Sequence, residues 1–473
     1  MMRSDAIRRA RAAVALAMAA LPAAAQQAGA QQVGAVEKVV DKGDTAWLMV
    51  SAILVIAMSV PGLALFYGGL VRARNMLSVL MQVLTIFCVI ALLWVAVGYS
   101  LAFSGAGSAA EAGPATPFIG GLSKAFLAGI GPASLVETFS ANVLVPEYAF
   151  VIFQMAFACI AGALITGAVV ERMKFAAVLL FVVIWFLFSY LPMAHMVWWW
   201  GGPSAHDAPS GYLFGHGALD FAGGTVIHIN AGVAGLVAAL AVGPRLGYGR
   251  ELMAPHNLPF TFLGGCLLWV GWFGFNAGSN LEATGTAALA MLNTAVATAA
   301  AALAWAGGEW LLRGHPSLLG GISGAIAGLV AVTPAAGFVA PMGAIAMGLV
   351  AGFACMWVVI SLKARLGIDE SLDVFGIHGV GGIIGALLTG VFAAPSLGGT
   401  GVYDYAAGAV AEYDIAGQVL KQALGVLVAV VWSALVSLAA IGLVRALTGL
   451  RVATVDERQG LDITTHGESA YNG

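Results

Sequence analysis

The chain has 473 residues, of which 60% are hydrophobic and only 9% charged. A water-facing domain carries roughly 25% charged residues, so this composition excludes a soluble globule and fits a surface that mostly meets lipid. With 20 Lys and Arg against 23 Asp and Glu, for a net charge of -3, no basic excess is left to bind nucleic acid.

At the start of the chain, Arg3, Arg8, Arg9 and Arg11 precede an apolar run from Ala12 to Leu21, followed by Ala23, Ala24 and Ala25. This is the order of a cleavable signal peptide over residues 1–25, and the apolar run is too short to cross a bilayer. Residues 26–45 then form a polar segment outside the inner membrane. Eleven apolar runs follow, near 46–68, 77–102, 147–170, 176–195, 220–242, 260–278, 286–311, 318–335, 341–361, 376–393 and 418–444. Backbone polar groups in lipid must be paired within the segment, and runs this long are helices rather than barrel strands. The fold class expected is an all-α polytopic membrane protein with eleven transmembrane helices. The 63 glycines suit helices that pack closely where lipid weakens the hydrophobic drive. Cys88, Cys159, Cys266 and Cys355 lie in apolar runs without metal spacing and read as small packing residues.

Basic residues orient the bundle. If the first span runs inward, the inner segments hold twelve Lys and Arg, from Arg72 and Arg74 to Arg451 and Arg458. The outer segments hold four, Lys38, Lys42, Lys124 and Lys421. That positive-inside bias agrees with the leader and places the N-terminus outside and the tail, residues 451–473, inside. The spans divide into five-helix sets over 46–243 and 244–393, with a loop and the eleventh helix over 394–450. Five helices per set make the two repeats inverted, a plan that puts a site at their interface.

Both sets end in a helix with a similar text: Asp220 to His228 in one, Asp373 to His378 in the other. Ionisable side chains within spans face a pathway or another protein group. Matched positions in inverted halves bring His228 and His378 together at mid-depth. Two neutral imidazoles offer both donors and acceptors and can relay a proton. Asp220, eight residues before His228, is too distant to orient the ring. Asp220 and Asp373 are expected to accept amides at broken helix starts and to hold a vestibule attractive to cations. Trp198, Trp199 and Trp200 follow the fourth span, and at least two of them suit an interfacial aromatic belt. Phe157 and Phe275 supply ring faces that can attract a desolvated cation, and Ser279 supplies a hydroxyl acceptor. Such a site suits a monovalent cation bearing hydrogen-bond donors. The spans carry no cysteine pair or carboxylate cluster for a metal, and neither a cofactor nor enzymatic chemistry is expected.

The runs Pro61 to Gly69, Asp220 to His228, Gly271 to Ser279 and Asp373 to Gly382 together resemble the ammonium transporter family, related to the Rh glycoproteins. The likeness extends from about Gly43 to Asn472. It implies a homotrimer in the bacterial inner membrane with a pore through each protomer. It further implies an outer recruitment site of Trp198, Phe157, Ser279 and Asp220, an outer gate of Phe157 and Phe275, and a pore lined by His228 and His378. A PII signalling protein at the inner mouth is the partner implied besides ammonium and lipid. The run after the fourth span is longer and richer in tryptophan than in similar chains, so Trp199 or Trp200 stands as an alternative to Trp198. An ammonium-sensing receptor and a secondary transporter of another small substrate are the rival functions. The polar tail is expected to lie ordered along the inner face, with Asp456, Glu457 and Arg458 pairing with the basic loops.

Overall fold

The structure, a computed structural model, describes residues 39–106, 108 and 111–471. The expected leader over residues 1–25 lies outside the described residues. Each apolar run is helical. We name the helices α1 (Lys42–Leu70), α2 (Ala73–Phe103), α3 (Glu147–Val169), α4 (Phe175–Trp198), α5 (Gly224–Val242) and α6 (Leu258–Gly278). They continue as α7 (Gly285–Arg313), α8 (Leu318–Val332), α9 (Pro341–Leu366), α10 (Phe375–Phe392) and α11 (Ile415–Thr448). Ten of these are long and apolar enough to cross a membrane. The exception, α8, has 15 residues, a rise of about 22 Å against a hydrocarbon core of about 30 Å. Leucines such as Leu92, Leu303 and Leu420 stand exposed on helix faces. That is the inverse of a water-soluble bundle, and the chain is a multi-pass membrane protein.

Several of these helices contain wide turns. One spans Met58–Leu63, where Pro61 has no N–H to donate, and others open α5 at Gly224–Ile229 and α10 at Phe375–Gly379. Wide turns concentrate at functional sites, and the last two hold His228 and His378. Helices α5 and α10 cross on a matched pair of glycines. A Cβ on Gly232 would stand 2.5 Å from the Gly379 nitrogen, and one on Gly382 would stand 2.9 Å from the Ile229 side chain. Each glycine comes four residues after its own histidine and meets the residue that follows the other. Only hydrogen fits at these contacts, so the crossing fixes the two histidines beside each other.

The end of the bundle that carries Trp198 has irregular additions. Strand β3 (Val143–Pro146) pairs in parallel with β1 (Val39–Val40) and antiparallel with β2 (Leu135–Glu137). A hairpin joins β4 (Tyr403–Asp404) to β5 (Ala409–Val410).

The opposite end is tied by buried charge. Glu171 accepts from Arg72 at 2.8 Å and faces Arg245 at 3.4 Å, while Arg245 reaches Asp369 at 2.7 Å. Arg172 is fully buried and donates to the carbonyls of Gly243 and Asp369 and to the Ser371 hydroxyl. Against this end lies the tail, with a short helix α12 (Thr454–Gln459) and a turn over Asp462–His466. Its order agrees with expectation, but its attachments differ. Asp462 accepts from the amides of Ser78 and Leu77 at 2.8 and 3.0 Å, capping the start of α2. Leu461 donates its amide to Asn75 at 2.9 Å. Glu457 pairs with Arg451 of its own segment and accepts from the Leu246 amide. The basic side chains Arg72, Arg172 and Arg245 are already engaged by buried groups, so backbone amides hold the tail instead.

Candidate functional site

The site begins at the end of α4. Trp198 donates its indole N–H to the Asp220 carbonyl at 2.9 Å and presents its ring edge-on to Phe157, 6.2 Å between centroids. Phe157 from α3 and Phe275 from α6 stack face to face at 4.2 Å and 8°, both almost wholly buried. Ser279 donates its hydroxyl to the Phe275 carbonyl at 2.8 Å. The donor is thereby used, and the oxygen's lone pairs remain to accept an N–H. The other two tryptophans go elsewhere. Trp199 stacks on His195 at 4.6 Å, and Trp200 stacks with Phe139 and Phe214 near Tyr405. Of the three, Trp198 is the one beside Phe157.

Asp220 sits behind this group at the broken start of α5. One carboxylate oxygen accepts from Gly223 and Gly224 at 2.8 and 2.7 Å, and the other accepts from Thr225 and Val226 at 2.8 and 3.1 Å. Four amides at a positive helix end favour the carboxylate against the cost of burial. The capping expected of Asp220 is present, and that expected of Asp373 is not. Asp373 pairs with Lys363, and the amide of Phe375 at the start of α10 goes to Glu370 at 3.0 Å.

Beneath the stacked phenylalanines a narrow apolar cavity has room for about one water-sized molecule. Met58, Leu63, Phe66, Ile160, Leu164, Leu268 and Ile326 line it together with Phe275, Trp272 and both histidines. His228 and His378 face each other with 3.2 Å between their Nδ1 atoms. One ring must donate and the other accept, so the neutral pair holds a single proton between its Nδ1 atoms. The accepting ring then carries its proton on Nε2, and the donating ring has a bare Nε2. The pair thus has one Nε2 donor and one Nε2 acceptor to offer. The Nε2 of His228 is buried without a protein partner. Trp272 was not singled out by sequence reasoning, yet it lies on His228 at 5.3 Å and 22°. Its indole N–H is fixed by Thr333 at 2.9 Å. The Gly271 to Ser279 run contained it, but no spacing rule distinguishes it from packing.

A sequence profile described as the Ammonium Transporter Family matches residues 46–471. The chain belongs to the ammonium transporter family. It is 45% identical to an ammonium transporter of Aquifex aeolicus, over 93% of this chain and 95% of that one. It is 44% identical to an ammonium transporter of Bacillus subtilis, over 91% of this chain and 98% of that one. Among solved structures it is similar to Mep2 of Saccharomyces cerevisiae, with a TM-score of 0.75 and 32% identity over 88% of this chain and 91% of that one. It is also similar to a protein titled Sensor Amt Protein, with a TM-score of 0.76 and 29% identity over 89% of this chain and 98% of that one. As a member of this family the chain is a transporter, not an enzyme.

Proposed function

We propose that this ammonium transporter recruits NH4+ at Trp198, Phe157, Ser279 and Asp220, separates a proton at the gate of Phe157 and Phe275, and conducts NH3 past His228 and His378. The observation that carries the reading is the sequence of surroundings along one line. An aromatic pair stacked at 4.2 Å stands over an apolar cavity that ends on two hydrogen-bonded imidazoles. A ring face and a hydroxyl acceptor suit a cation with N–H donors, whereas the cavity walls below suit a neutral molecule.

The wider arrangement belongs to the same proposal. The chain crosses the bacterial inner membrane eleven times, as two inverted five-helix repeats and a last helix, with its mature N-terminus outside after removal of a signal peptide. It works as a homotrimer, one pore per protomer, and a PII protein docks on the inner face beside the tail. The matched glycine crossing of α5 and α10 supports the repeat, and the positive-inside count supports the orientation.

The test uses purified protein in liposomes, with current and ammonia flux recorded in the same preparation. An ammonium gradient should drive both, and a potassium gradient neither. Ammonia flux without current would remove the proton from the mechanism, and the absence of both would remove transport. The likeness to the Sensor Amt Protein supports a second reading, sensing, which the same experiment addresses: ammonium would then bind without flux.

A further inference from the structure

The tail turn that caps α2 also builds one end of a groove. Its last residues reach Gly467, left-handed at φ 70°, and the Glu468 amide donates back to the Asp462 carbonyl at 3.2 Å. Because Asp462 is pinned by the amides of Leu77 and Ser78, His466 and Glu468 are set against the side of that helix. His466 also meets Phe175 at the start of α4, edge to face at 5.2 Å and 87°. Between the turn and α2 lies a groove of about 310 Å³, lined by Leu77, Leu80, Met81 and Leu84 with His466 and Glu468. Small-molecule sites begin at about 300 Å³.

One wall of the groove is apolar and one end is polar. Leu77, Leu80, Met81 and Leu84 follow one another at helical spacing and share one face of α2. That face continues beyond the groove, with Met81, Leu84, Cys88, Leu92 and Val95 all exposed. From Met81 to Val95 the strip rises about 21 Å, enough for a lipid chain through one leaflet of about 15 Å, half of the hydrocarbon core. At the polar end the Nε2 of His466 is buried without a protein partner, and Glu468 is exposed. An imidazole has an N–H to donate in either protonation state, whereas a carboxylate only accepts. A phosphate suits the first group, and a protonated amine suits the second. A headgroup with phosphate but no amine would meet like charge at Glu468 and at Asp462, which lies within electrostatic reach of His466. A quaternary amine has the right charge but no N–H to give.

We infer that this groove binds a phospholipid with an ethanolamine headgroup, its acyl chain on the α2 strip, its phosphate at His466 and its ammonium at Glu468. The lipid belongs to the leaflet on the tail side, and its binding is independent of how ammonium crosses the pore. Held there, it joins the tail turn to α2 through contacts that neither segment makes alone.

The test uses the full-length protein, purified in detergent, stripped of lipid and titrated with phosphatidylethanolamine, phosphatidylcholine and phosphatidylglycerol of identical chains. Native mass spectrometry counts the bound lipid, and thermal melting is followed alongside. Wild type should retain one phosphatidylethanolamine per chain and bind it more tightly than the other two. Glu468→Gln keeps the shape and removes the charge, so its preference for phosphatidylethanolamine over phosphatidylcholine should fall by about two- to fivefold, the range of an exposed ion pair. His466→Phe keeps a ring against Phe175 and removes the N–H, and should weaken all three lipids by about two- to tenfold, the range of one hydrogen bond. Without added lipid E468Q should melt with wild type, so the charge test stands even where H466F does not fold. Equal binding of the three lipids by wild type, unchanged in E468Q, would overturn the inference and leave only unselective boundary lipid. Wild type that retains no phospholipid, with Leu84→Cys cross-linking to a second copy, would also overturn it and give the strip to that copy.

Discussion

Replacing Asp220 tests whether the proposed recruitment site is built from backbone hydrogen bonds. The carboxylate serves four amides between 2.7 and 3.1 Å, and the residue is 8% exposed, so water replaces few of them. A buried donor left unmet costs about 1–3 kcal/mol, which for Asp220→Ala sums to about 4–12 kcal/mol before relaxation. Folded proteins have about 5–15 kcal/mol in all. The alanine variant should therefore yield little folded protein. In Asp220→Asn one oxygen remains to accept two amides, so about half the loss is expected and the variant should fold with a lowered melting temperature. The Asp220 carbonyl also holds the Trp198 indole at 2.9 Å, so the asparagine variant should conduct poorly at low ammonium even where it is folded. Melting followed in detergent and current in liposomes are the two assays. An alanine variant that melts with the wild type would refute the reasoning, because the four bonds would then contribute nothing.

Trp198→Leu keeps apolar bulk and deletes the ring face, a loss of about 1 kcal/mol of cation attraction; uptake should weaken at low ammonium. A defect in Trp199→Leu with none in Trp198→Leu would move the site. His378→Ala leaves the His228 ring without its 3.2 Å partner, which should cost about 1–3 kcal/mol in melting and change conduction. Unchanged rate and potassium exclusion in that variant and in His228→Ala would end the twin-histidine reading. Cutting the chain after Val452 uncaps α2 by removing Asp462, a loss of about 0.5–2 kcal/mol. It should leave folded protein with reduced transport and weakened PII binding, and matched values for both would return the tail to a passive role. Burial pushes the Glu171 carboxyl up, but the hydrogen bond from Arg72 and the charges of Arg245 and Arg72 overcome this and hold it below its usual value. A carboxyl depressed by folding stabilises above its unfolded value and loses that contribution as pH falls through its folded value. Melting should then fall with acidification more steeply in wild type than in Glu171→Gln, and equal acid slopes would count against this pairing.

Helix positions were legible because about 20 apolar residues in a row have few other uses. The expected 147–170 and 260–278 differ from α3 and α6 by one or two residues at their ends. The histidine pair was legible from matched text, and its 3.2 Å contact agrees. The partner of Asp220 was not. Residue type suggested Asp373, but the repeat is kept in backbone conformation, with Asp373 in the left-handed place that glycine fills at Gly223. Counting eight residues back from each histidine would have found Glu370. Tail charges suggested ion pairs with the basic loops, yet Asp462 attaches to amides of α2 that a sequence displays only as a helix start. The strands around Val136 and Val145 left no periodic signal, since they have only two to four residues each.

Magnitudes favour neutral ammonia in the cavity over the ammonium ion. An ion that left water for walls such as Met58, Leu268 and Ile326 would meet no counter-charge, and burying an unpaired charge is prohibitive enough that a group normally gives up its proton instead. A neutral amine loses only hydrogen bonds, about 2–7 kcal/mol in the absence of any compensating partner. The paired rings return part of that, because one Nε2 donates and the other accepts, and ammonia does both. Protonating the bare Nε2 would remove the acceptor and leave a positive charge on a pair whose apolar walls offer no counter-charge. In the proposed conduction of NH3 the shared proton therefore works in two ways: it joins the rings, and it keeps the pair matched to a small neutral molecule that both donates and accepts.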